Sequence, residues 1–174
     1  MAKLREAKAY RRIKRPYTRK SKYRKHSFVK GVPGSKIIMF DMGNKRGNYP
    51  YKVNLIAKKD VNLRHNAIEA SRIAATKYMT KILGKQGYHL KLRVYPHHVM
   101  RENPLATGAG ADRMQQGMRH AFGKPIGAAA QVKEGKIIIT AYVNEKDIKI
   151  GKEALRKAAS KYPISCNIEV IKAT

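Results

Sequence analysis

The chain has 174 residues, with 39 lysines and arginines against 11 aspartates and glutamates, a formal net charge of +28. That length fits one compact domain, and a 43% hydrophobic content can build a core, so wholesale disorder is excluded. So much positive charge on a small chain repels itself and calls for a dense polyanion to neutralise it, which a small acidic substrate would not need.

The first 30 residues carry 13 basic side chains against one acidic one, the densest charge in the chain. Residues 8–25 have too few apolar side chains to form a core, so this stretch is expected to be extended or disordered by itself. Arg11, Arg12, Arg15, Arg19, Lys20, Arg24 and Lys25 can meet phosphates, and Tyr10, Tyr17 and Tyr23 are spaced among them to stack on bases. A charged tail, a localisation signal, or tyrosines packed back on the protein's own surface are the competing readings. The expected division is an RNA-binding arm over 1–30 and a domain over 31–174.

After the turn signal Val32-Pro33-Gly34, the apolar run 37–40 predicts a buried strand and 41–50 a long turn. Residues 51–58 alternate, with Val53, Leu55 and Ala57 on the core face and Lys52 and Asn54 turned to solvent or RNA. A helix is expected from about Arg64 to residue 83, with Ile68, Ala75, Met79 and Ile82 as its apolar stripe. Asn62, or Asn66 with Glu69, would cap its start, and Gly84 would end it. Arg64, Arg72 and Lys81 lie off the stripe, facing solvent or phosphate.

Residues 88–95 alternate again, with a core face and a face presenting His89, Lys91 and Arg93. Pro96 ends that strand and 97–101, reaching Arg101, is a further short extended piece. His97 and His98 would point to opposite faces and lack companion ligands, which weighs against a metal site. Glycines dominate 103–127. An uncharged mobile loop over Asn103, Pro104, Leu105, Ala106, Thr107, Gly108, Ala109 and Gly110 is expected, then a short helix within 112–119. Gly123-Lys124-Pro125 lacks the spacing of a nucleotide phosphate loop. Segments 131–133 and 137–143 are expected to pair across the Glu134-Gly135 turn, followed by a helix over 147–161 stopped by Pro163 and a strand over 164–171. The sum is an α+β fold: a single two-layer domain of short, mainly antiparallel strands with two main helices, preceded by the arm.

Chemistry is not expected. Acidic residues are few and scattered: Glu69 and Glu153 suit helix capping or pairing, and Asp112 the start of a short helix. Cys166 is the only cysteine, so there is no internal disulfide framework, and it is expected to pack as a small apolar residue. No cofactor or metal is expected. No apolar run reaches the ~18–20 residues of a membrane helix, and Met1 to Arg5 do not lead into a signal-peptide core, so the expectation is cytoplasmic, with no membrane and no intrinsic oligomer.

The run Gly108-Ala109-Gly110-Ala111-Asp112-Arg113-Met114-Gln115-Gln116-Gly117-Met118-Arg119-His120-Ala121-Phe122-Gly123-Lys124-Pro125 resembles the diagnostic segment of the large-subunit ribosomal protein L-ten-e family, the archaeal and eukaryotic counterpart of bacterial L-sixteen. The stretches 63–70, 96–101 and 153–158 support the same resemblance, of archaeal type. It implies an α/β-hammerhead-like domain, a structural constituent of the large subunit that binds ribosomal RNA near the A-site and central protuberance and supports transfer RNA positioning. The implied partners are large-subunit ribosomal RNA, A-site transfer RNA, neighbouring ribosomal proteins and 5S RNA. Arg113, Gln115, Gln116, Arg119 and Lys124 would face RNA, the arginines clamping phosphates and the glutamines reaching sugar or base edges; Phe122 would either stack or pack into the core, with packing favoured, and the 103–110 loop would approach transfer RNA. Gln131 stands where the family commonly has an arginine, which puts a phosphate contact there in doubt. A general nucleic-acid-binding or chromatin module and an RNA-modifying enzyme are the other readings; the sequence nominates no residue for the latter.

Overall fold

Buried apolar residues at every second position, Val53, Leu55 and Ala57 on Tyr51–Ala57 (β2) and Ile139, Ala141 and Val143 on Ile137–Val143 (β7), build the centre of a five-stranded sheet in the computed structural model, which describes residues 6–18, 23–26, 29–106, 108–115, 117–119 and 122–172. Asp41–Gly43 (β1), His89–Leu92 (β4) and Cys166–Lys172 (β8) complete it in the order β1-β4-β7-β2-β8, with every pairing antiparallel. A second sheet has three strands: Val61–Arg64 (β3), Lys124–Val132 (β6) in the middle, and His98–Glu102 (β5).

Register decides which side chains meet. Val53 and Leu55 oppose Ala141 and Ile139, and Leu90 and Leu92 oppose the same two residues from the other side, so one face of the large sheet is continuously apolar. Helix Ile148–Ala159 (α3) lies on this face, where a β-carbon on Gly151 would come within 3.3 Å of Val53. Helix His65–Leu83 (α1) packs beside α3 and buries Ile68, Ala75 and Met79 in the same core as Leu155 and Ala158. A third helix, Ala111–Met114 (α2), is one turn long. The fold is thus α+β with mostly antiparallel strands, as expected.

Several local expectations are corrected. The run 37–40 is not a buried strand: Ile37 turns inward, but Ile38 is 87% exposed and Met39 53% exposed, and strand pairing begins only at Asp41. β6 and β7 do not pair with each other. The left-handed Gly135 (φ 76°) turns the chain from one sheet to the other, so β6 lies between β3 and β5 while β7 lies between β2 and β4. Asn54 is buried, accepting a hydrogen bond at 2.9 Å from the Thr140 hydroxyl. Arg64 occupies the cap position of α1 with no side-chain cap, and Glu69 pairs with Arg72 at 2.9 Å instead of closing a capping box. Ile82 is exposed near the end of α1, whereas Gly84 stops that helix in the left-handed region (φ 70°), its N–H donating to the Thr80 carbonyl. Gly117, also left-handed (φ 58°), and the extended Gln115 keep the helix expected over 112–119 to one turn.

Candidate nucleic-acid interface

The arm meets the three-stranded sheet through its backbone. Asn62 on β3 and Gln131 on β6 are cross-strand neighbours, and their side-chain amides donate to alternate arm carbonyls: Asn62 Nδ2 to Arg12 O at 2.8 Å, Gln131 Nε2 to Lys14 O at 2.9 Å. At β5 the Tyr17 N–H donates to His98 Nδ1, and the Val99 N–H donates to the Tyr17 carbonyl, both at 2.9 Å. The arm therefore crosses β3, β6 and β5 in turn. Because backbone groups make these bonds, Arg11, Arg12, Lys14 and Arg15 all stay exposed, and none of the four has a carboxylate partner among the described residues. Exposed cations without carboxylate partners, on a backbone fixed at three strands, are suited to phosphate contacts.

The tyrosines of the arm have three different settings. Tyr10 is only 7% exposed and packs into the core, its hydroxyl accepting from Arg64 at 3.3 Å, so its ring is turned into the protein and not presented to a nucleotide. Tyr17 is half-buried; the Arg101 guanidinium lies 4.4 Å from its ring centre and 3.8 Å from that of Phe122. Tyr23 is exposed, with its ring edge-on to His26. Phe122 is 64% exposed, which corrects its placement in the core: it meets Tyr17 edge to face at 5.5 Å and Arg101 across its face. Arg101 also donates to the Phe122 carbonyl at 3.2 Å. Tyr17, Arg101 and Phe122 form a partly open aromatic and cationic surface where the arm reaches β5.

Gln115 is committed within the protein. Its side chain accepts from the Ala106 N–H at 2.8 Å and donates to the Ala106 carbonyl at 2.9 Å, closing the loop that begins at Asn103. Asn103 in turn donates to the Gly117 carbonyl at 3.3 Å. Pro104, Leu105, Ala106, Gly108, Ala109 and Gly110 are exposed, as are Arg113, Arg119 and Lys124. Gly123 is left-handed (φ 73°), and a β-carbon there would lie 2.6 Å from the Glu102 carbonyl carbon, so glycine is needed for the loop to close onto β5. Arg19, Lys20, Thr107 and Gln116 lie outside the described residues, Arg24 and Lys25 fall in a short 3-10 turn, and Lys25 is exposed.

Lys91 and Arg93 share the polar face of the large sheet. Arg93 donates to the Tyr142 hydroxyl at 2.9 Å and to Thr140 at 3.3 Å, while His89 stacks on Tyr142 and contacts Asp41 at 3.0 Å. Arg64 is half-buried and linked to the arm through Tyr10. His97 and His98 do not converge on a ligand: the His98 imidazole holds the arm, and burial, with His97 and Arg101 nearby, keeps its pKa below the usual value. His65 plays a parallel part, accepting the Lys36 N–H at 2.9 Å, and burial lowers its pKa too. Cys166 is half-buried, and burial pushes its thiol up to about 11, an inert setting.

The arm's anchors, Asn62, Gln131 and His98, have no local signature, since the partners are 50, 117 and 81 residues apart in sequence. The one available signal was Gln131 itself, a neutral hydrogen-bonding residue on a strand of a highly charged chain.

Comparison with known proteins places the chain in a family. A profile of the family described as Ribosomal protein L16p/L10e matches residues 14–169. The Archaeoglobus fulgidus protein named large ribosomal subunit protein uL16 is 48% identical over 166 residues, covering 95% of this chain and 92% of its own. The Staphylothermus marinus protein of the same name has the same identity and coverage, and that of Methanococcus maripaludis is 47% identical over 97% of this chain and 95% of its own. With that extent of agreement, the chain belongs to the ribosomal protein L16p/L10e family.

Proposed function

We propose that this protein holds large-subunit ribosomal RNA near the A-site and central protuberance, in the neighbourhood of 5S RNA, and supports the positioning of A-site transfer RNA. Its coarser role is that of its family: a structural constituent of the large ribosomal subunit and not an enzyme, in the cytoplasm, with ribosomal RNA and ribosomal proteins as partners. The arm over 1–30 and the domain over 31–174 act together, with the domain as the arm's mount.

The observation that carries this reading is the arm itself, docked by its carbonyls with Arg11, Arg12, Lys14 and Arg15 left exposed. Arg101, Arg113, Arg119 and Lys124 extend the cationic surface towards the 103–110 loop, which has no charged side chain of its own. A neutral loop flanked by cations can lie beside a ligand that must come and go without trapping it by charge.

A Leu105→Cys variant on a Cys166→Ser background, carrying a tethered hydroxyl-radical source in reconstituted large subunits, tests the finer reading. Cleavage of A-site transfer RNA is expected. Cleavage of ribosomal RNA alone would refute the transfer RNA role and leave the anchoring role standing.

A further inference from the structure

Of the described phenylalanines, Phe40 is half-buried and only Phe122 is turned largely into solvent. A ring with no polar atom gains nothing from water, yet this one is held in a fixed attitude. The Arg101 guanidinium lies over the Phe122 face, 3.8 Å from its centre, and over the Tyr17 face at 4.4 Å, and it donates to the Phe122 carbonyl. With the two ring centres 5.5 Å apart and their planes at 87°, these separations close a nearly right-angled triangle with the guanidinium at its corner. Tyr17 and Arg101 therefore sit on the same side of the Phe122 ring. The opposite face is the one left open, which accounts for the exposure of this residue. Gly123, whose missing β-carbon would strike the Glu102 backbone, fixes the chain directly after the ring.

We infer that the open face of Phe122 takes an unpaired nucleobase of large-subunit ribosomal RNA, stacked ring on ring. The inference rests on the RNA-binding role proposed above and names one contact within it. Two features select a base over an apolar side chain of a protein neighbour. The surround is cationic: Arg101 lies behind the ring, and the exposed Arg119 and Lys124 lie on either side of it in the chain, suited to the phosphates that flank a stacked base. Glu102, which opposes Lys124 across β5 and β6, offsets part of that charge. The open area is also a single flat face, which is all that a base needs, whereas a stable protein contact asks for about 800 Å² on each partner. Because Arg101 and Gly123 already hold the ring, stacking on it costs little further side-chain freedom. Every base has a π face, so the contact tolerates any of the four.

Binding of the full-length protein to large-subunit ribosomal RNA over a range of salt tests this, with Phe122→Leu, Phe122→Trp and Tyr17→Leu. Phe122 lies outside the core, so its variants are read in folded protein. Phe122→Leu keeps an apolar side chain but removes the π face, and should weaken binding about 5- to 150-fold, the range for one base stacked on an aromatic ring. The slope of log affinity against log salt should stay as it is, because a stack releases no counterion. Phe122→Trp keeps a stacking face and should bind like the unaltered protein. Tyr17→Leu removes the edge contact but leaves the Phe122 ring, and should lose less than Phe122→Leu. Unchanged affinity in Phe122→Leu would overturn the inference, and if incorporation into subunits fell at the same time, the ring would serve a protein neighbour instead. Equal losses in the two leucine variants would overturn it too, since the ring would then only prop the arm, as would a loss in Phe122→Trp matching that in Phe122→Leu. A shallower salt slope in Phe122→Leu would mean that the ring acts through the charge of Arg101, again overturning it. Absence of salt-sensitive binding by the unaltered protein would instead refute the RNA-binding reading on which the inference rests.

Discussion

Replacing Tyr17 with alanine should loosen the arm at its β5 anchor without disturbing the core. The Tyr17 ring meets Phe122 edge to face at 5.5 Å and lies 4.4 Å from the Arg101 guanidinium, while the two hydrogen bonds to β5 use only backbone of residue 17. An aromatic pair contributes about 0.5–1.5 kcal/mol and an exposed cation–π contact about 0.5–1 kcal/mol, so the substitution should weaken docking by about 1–2.5 kcal/mol. This corresponds to a factor of about 5 to 60 in the docked-to-undocked ratio. The Val99 amide is the natural reporter, because its N–H donates to the Tyr17 carbonyl and not to the neighbouring strand. Amide hydrogen exchange should show Val99 losing protection by that factor while Leu55 and Ile139, at the centre of the large sheet, keep theirs. Unchanged exchange at Val99 would refute the claim that ring contacts hold the arm there; equal loss at Leu55 would mean that the arm and core are one cooperative unit.

Docking at β5 should also weaken on mild acidification. His98 Nδ1 must be unprotonated to accept the Tyr17 N–H, and burial with neighbouring positive charge holds its pKa below 6.5 in the docked state. Stability is therefore complete above pH 6.5 and falls as pH drops towards the docked value, because the undocked state takes up the proton first. A Val99 exchange profile that stays flat from pH 7.5 to 5, after correction for intrinsic rates, would contradict this. Gly43→Ala should lower the melting temperature more than Gly135→Ala: both glycines are left-handed, but only at Gly43 would a β-carbon strike backbone, 2.2 Å from the Tyr88 carbonyl oxygen. Overpacking costs about 1–3 kcal/mol, or ~2–4 °C for each kcal/mol in a domain this size, and equal shifts would refute the steric argument. Ile38→Ser should change stability by no more than about 0.5 kcal/mol in chemical denaturation while Ile37→Ser costs more, reversing what a buried strand over 37–40 would require.

What could be read from the sequence follows from the range of the interaction. Strands at 51–57, 89–92 and 137–143 and both long helices were legible because local periodicity places Leu55, Leu90, Ile139, Met79 and Leu155 on one side of each element. Which strand pairs with which was not. The Glu134-Gly135 turn reads as a hairpin locally, but β6 is drawn to β3 and β5, and the large sheet takes β7. Apolar character misled at 37–40, where only Ile37 finds the core. At the interface the exposed cations of the arm were legible from charge density, yet the roles of Tyr10, Gln115 and Phe122 depend on contacts made elsewhere in the fold. Gln115 looks like a residue for sugar or base edges until Ala106 takes both of its polar atoms. Gln131, read as a lost cation, is an anchor for the Lys14 carbonyl.

The account stands on the arm's cations being balanced by folded ribosomal RNA. The most direct measurement is the salt dependence of binding to large-subunit ribosomal RNA, for the unaltered protein and for a variant with Arg11, Arg12, Lys14 and Arg15 replaced by alanine. Each phosphate contact contributes ~0.7–0.9 to the slope of log affinity against log salt, so the slope should become shallower by about 3. An identical slope in the two proteins would contradict the account.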